Sequence, residues 1–99
     1  MRQIEKMMVQ ALNQNREMHV SNTSVENSFG VAMLVFLHGN CIASKDLKTG
    51  KITYSCGGWH SRTTASRLRA LGCDCYMKGG RIIDRATGRE VLHYFGAKS

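Results

Sequence analysis

Cys56, His60, Cys73 and Cys75 place three thiols and one imidazole within twenty residues, a ligand set chemically suited to tetrahedral zinc. Their spacing works against that use. The pairs read C-x-x-x-H and C-x-C rather than the C-x-x-C of a zinc knuckle, and two strand ends would have to converge across a helix. The expected state is four reduced thiols with no bound metal or other cofactor. Nucleophilic catalysis asks for a Cys or Ser beside a base that a third group orients. His19, His38, His60 and His93 stand apart from any such pattern, and the seven acidic residues are scattered rather than paired for two-metal hydrolysis. No enzymatic activity is expected.

A different chemistry is concentrated between Gly57 and Gly72, where a glycine pair, the only tryptophan and Arg62, Arg67 and Arg69 fall together. Guanidinium groups meet phosphate through planar bidentate contacts, and they meet carboxylates equally well. Lys78 and Arg81 flank one glycine-marked hairpin tip, and Arg85 and Arg89 lie at a second turn. These seven cations form one surface if both hairpins pack beside the helix carrying the arginines. Trp59 suits either stacking on a base or plugging a small core. His38-Gly39-Asn40 reads first as a device for a tight turn.

The elements that must position these side chains follow from periodicity. Ile4, Met7, Met8, Ala11 and Leu12 recur as one stripe of an amphipathic helix over Arg2 to Gln14, ended by Asn13 and Asn15. Met18 to Val25 alternates as a strand that Ser21 to Ser24 can interrupt, and Asn27 to Gly30 is a turn by composition. Val31 to Leu37 is apolar throughout, as expected of a central strand covered on both faces. Cys41 to Ser44 returns beside it, Lys45 to Lys51 loops, and Ile52 to Cys56 forms the next strand. A second helix follows, capped by Ser61 or Thr63 and stopped by Gly72. At 100° per residue Thr64, Leu68 and Leu71 cluster within about 60°, while Arg62 and Arg69 project roughly opposite. Two hairpins close the chain, through Cys75 to Asp84 and into Val91 to Phe95. The sum is one α+β domain over residues 1–99, in the order α-β-β-β-β-α-β-β-β. Its antiparallel sheet has five to seven strands, with both helices on one face.

Charge bounds the partners. The chain has 99 residues and a net charge of +7. Residues 1–49 carry five basic and four acidic side chains, and residues 50–99 carry nine and three, so the excess is +1 in the first part and +6 in the second. A basic half suits a polyanion, because each phosphate contact releases condensed counterions. The alternative is a domain kept apart by its own charge. The longest apolar run, Val31 to Leu37, is seven residues, against about 20 for a membrane span, so no membrane partner is expected.

Three motifs add a resemblance. Asn22-Thr23-Ser24-Val25, Val35-Phe36-Leu37-His38-Gly39-Asn40-Cys41-Ile42-Ala43, and Gly58-Trp59 followed by Thr63-Thr64-Ala65-Ser66-Arg67-Leu68 occur in that order. The chain thereby resembles a group of small bacteriophage proteins with N-T-x-V, V-x-L-H-G-N-x-I-A and G-W-x-x-x-T-T-x-S-R-L segments. The likeness covers roughly residues 1–72, and the four cysteines lie outside its pattern. It implies a phage accessory role such as host takeover, anti-CRISPR counter-defence or nucleic-acid handling, and no catalytic residue comes with it. The resulting expectation is a non-enzymatic protein in the cytoplasm of an infected bacterium that inhibits a host nucleoprotein machine such as a CRISPR effector. The alternative is a basic accessory protein that binds DNA or RNA directly.

Overall fold

A computed structural model describes residues 2–56 and 60–91. Helix α1 (Gln3–Asn13) buries Met8, Ala11 and Leu12, and on the same side it also buries Glu5. Met7 is 37% exposed, so the apolar stripe is rotated from the expected one to make room for that carboxylate. Asn15, at φ 54°, ends the helix in the left-handed conformation. The Asn15 and Arg16 amides then donate back to the Leu12 and Ala11 carbonyls, the Schellman arrangement.

The stretch read as one strand over Met18 to Val25 is two strands, β1 (Met18–Val20) and β2 (Thr23–Ser28), joined at Ser21-Asn22. With β3 (Ala32–Leu37), β4 (Asn40–Asp46) and β5 (Ile52–Tyr54) they form an antiparallel sheet in chain order. The register sets Val25 against Val35 and Val35 against Ala43, with an irregularity between Val35 and Phe36. Alternation then puts Val25, Met33, Val35, Leu37 and Ala43 into the core with the buried residues of both helices. Leu34 and Phe36 point to the opposite face and keep partial exposure. Cover on both faces of Val31 to Leu37 is therefore not observed among the described residues. An antiparallel sheet can leave its second face to solvent.

Helix α2 (Arg62–Ala70) begins at Ser61, whose hydroxyl accepts the Thr64 amide at 3.1 Å. It ends in a second Schellman motif, with the Gly72 and Cys73 amides donating to the Arg69 and Leu68 carbonyls. Gly72 sits at φ +107°, and a Cβ there would lie 3.2 Å from the Tyr54 hydroxyl, which donates to the Leu71 carbonyl. Strands β6 (Cys75–Lys78) and β7 (Arg81–Asp84) make a separate two-stranded sheet against α2. Cys75 and Ile82 are buried in the same core as Ala65 and Leu68. Of the strand expected over Val91 to Phe95 only Val91 is described, and its amide donates to the Ile82 carbonyl at 2.9 Å. The architecture is α+β, with both helices packed on the inner face of the five-stranded sheet.

Candidate polyanion-binding face

The helical phase of α2 divides its side chains between core and solvent. Thr64, Ala65, Leu68 and Leu71 are buried, while Arg62 and Arg69 are exposed two turns apart on the outer side. Arg67 departs from the surface role expected of it. Only 3% exposed, its guanidinium Nη1 donates to Glu5 Oε2 at 2.8 Å and its Nε donates to Thr23 Oγ1 at 3.2 Å. The Ser66 hydroxyl donates to the same Glu5 oxygen. Burial raises the Glu5 pKa, but the bonds from Ser66, Arg67 and the Arg2 amide outweigh it and hold the carboxyl below its ordinary value. The pair clamps α1 to α2 and β2, and Arg67 takes no part in an outer surface.

On the hairpin, Gly79 and Gly80 at φ 58° and 76° make the mirror-image turn that a two-residue connection requires, displaying Lys78 and Arg81. Arg81 Nη1 donates to both carboxylate oxygens of Glu90, at 2.9 and 3.0 Å. Arg85 contacts Asp74 at 3.1 Å and stacks its guanidinium 4.6 Å from the Tyr76 ring centroid. Asp84 accepts the Ala86 amide. All three carboxylates of residues 50–99 are thus engaged, two of them by arginines. Arg62, Arg69, Lys78 and Arg89 are exposed and have no carboxylate partner among the described residues. The hairpin packs beside α2, which is the placement a shared surface needs. Trp59 lies outside the described residues.

The thiol and imidazole set is spread through the packing. Cys56, Cys73 and Cys75 are buried and free, and Cys41 is half-buried and free. Burial, with Cys75 beside it, pushes the Cys73 thiol up to about 12, and burial also raises Cys75 and Cys41. Such thiols stay protonated at neutral pH and are poor nucleophiles. His60 uses Nδ1 to accept the Ile82 amide at 2.9 Å, tying the approach to α2 onto β7. Among the described residues no three His, Cys, Asp or Glu side chains are placed to hold a metal ion.

Two features were not singled out from sequence. Glu5 carried a signal, since it shares the helical side of Met8 and Leu12 and a carboxylate there needs a partner. The second is a cleft between the β3–β4 turn and the start of α2, lined by Leu37, His38, Asn40, Ile42, Cys56, Ser61, Thr63 and Thr64. Its lining residues lie up to 27 positions apart, and no periodicity links them.

A family model described as Kyanoviridae Gp96 protein matches residues 1–91. No curated protein and no solved structure matches the chain. No described helix is long and apolar enough to cross a membrane.

Proposed function

The chain belongs to the Kyanoviridae Gp96 protein family and is a phage protein, and from that premise we propose that it is a non-enzymatic binding protein acting on a host nucleoprotein machine. In this reading the outer side of α2 and the β6–β7 hairpin lie against the machine's nucleic acid and hinder its use, a CRISPR effector being one such machine. One observation carries the proposal. Among the described residues Arg62, Arg69, Lys78 and Arg89 are exposed and have no carboxylate partner, while the side chains of Asp74, Asp84 and Glu90 are already engaged. Exposed cations without intramolecular partners are the usual source of phosphate contacts.

The test is complex formation on size-exclusion chromatography with a purified host nucleoprotein, before and after nuclease treatment. Arg62→Glu/Arg69→Glu serves as the charge-reversed control. The proposal requires co-elution that the double variant loses. Absence of any complex, or an unchanged complex with the double variant, removes it. Binding to free DNA or RNA as strong as to the nucleoprotein would instead favour a general nucleic-acid accessory role.

A further inference from the structure

The cleft beside α2 has a volume of about 510 Å³, within the roughly 300–1,000 Å³ of small-ligand pockets. Leu37, Ile42 and Cys56 are buried and give it an apolar floor. His38, Asn40, Ser61 and Thr63 are more exposed and give it a polar edge, and no carboxylate is among the described residues that line it. His38 is fixed in place, at φ 53°, with its amide donating to the Asn22 carbonyl and its ring Nε2 3.3 Å from Asn22 Nδ2. Asn40 Nδ2 donates to the His38 carbonyl at 3.4 Å, and its Oδ1 accepts no hydrogen bond among the described residues. The Thr63 hydroxyl makes no hydrogen bond among the described residues. Arg62, exposed and without a carboxylate partner among the described residues, adjoins Thr63 in the chain.

We infer that this cleft receives one base of a single-stranded nucleic acid, while the strand's phosphates run to Arg62 and Arg69. This rests on the polyanion reading above and narrows it to unpaired strands. An unpaired base has two apolar faces and an edge of donors and acceptors, which matches an apolar floor beside the Asn40 amide oxygen and the Thr63 hydroxyl. A duplex keeps its bases stacked, and inserting one would cost unpairing and unstacking. The exposed cation of Arg62, one position before Thr63, fits an anionic ligand such as a strand better than a neutral metabolite. The cleft therefore prefers single strands over duplex of the same length.

Fluorescence anisotropy with labelled oligothymidylate, oligouridylate and a duplex of equal length tests this directly. The wild-type chain should bind the single strands about tenfold more tightly, a difference of about 1.4 kcal/mol. Thr63→Trp fills the mouth without altering charge, and it should remove that preference while leaving duplex binding unchanged. Asn40→Leu, with a thermal melt of each variant, gives the same readout if Thr63→Trp is poorly folded. Amide resonances of Asn40, Ile42 and Thr63 should shift on adding unlabelled oligothymidylate. Equal affinity for duplex, or single-strand binding indifferent to both variants with those resonances unmoved, overturns the cleft assignment and leaves the polyanion reading standing. If no nucleic acid binds at all, both fall.

Discussion

Replacing Arg67 by Met separates an inward arginine from an outward one by a wide margin. In the structure Glu5 and Arg67 are both nearly excluded from solvent and joined at 2.8 Å, with Thr23 and Ser66 completing the network. Arg67→Met leaves the Glu5 carboxylate buried with the Ser66 hydroxyl as its remaining side-chain donor. Removing one partner of a buried ion pair costs about 3–5 kcal/mol, against about 0.5 kcal/mol for an exposed arginine. For a domain of this size each kcal/mol moves Tm by about 4–8 °C, so the melt should fall by at least about 12 °C. Glu5→Met/Arg67→Met removes both charges and should recover much of the loss, because an apolar pair of similar volume suits the same space. Urea denaturation followed by circular dichroism gives all four corners of the cycle. A single variant within 0.5 kcal/mol of wild type, or a double variant no better than the singles, would refute the clamp between α1 and α2.

Three further outcomes follow from local geometry and charge. Gly72→Ala forces a side chain onto φ +107° and against the Tyr54 hydroxyl, and should cost about 1–3 kcal/mol in the same denaturation assay. Phe29 occupies φ 54° beside Gly30 at 71° in a mirror-image turn and is 99% exposed, so Phe29→Asn should raise stability by about 0.5–1 kcal/mol. Glu5 has a folded pKa below its ordinary value of 4.5, so its contribution is fully present above that pH and is lost as pH falls through the lower folded value. The stability gap between wild type and Glu5→Gln should therefore narrow from pH 6 to pH 3 in parallel melts, and a gap that widens on acidification would contradict the assignment.

Much of the fold is legible because its signals are local. Ser61 and Gly72 bracket α2, and the phase of Leu68 and Leu71 opposite Arg62 and Arg69 fixes which side meets the core. The same phase puts Arg67 only about 40° from Leu71, so its inward aim was open to calculation. Residue type nevertheless suggested a surface role, since an arginine goes inside only when paired, and Glu5 lies 62 residues away. The split between β1 and β2 turns on Ser21 at φ 54°, a conformation serine does not advertise. The cleft is the least legible feature, because it exists only once a turn and a helix start have been brought together by the sheet.

In the function proposed, exposed cations on α2 and the neighbouring hairpin meet phosphate. The most direct measurement is the salt dependence of binding to a single-stranded oligonucleotide, for wild type and for Arg62→Ala/Arg69→Ala. Each neutralised phosphate contributes about 0.7 to the slope of log affinity against log salt for a single strand, so four contacts give a slope of about −2.8. The double variant should lower its magnitude by about 1.4. A slope near zero, or one that the double variant leaves unchanged, would show that these arginines do not contact phosphate.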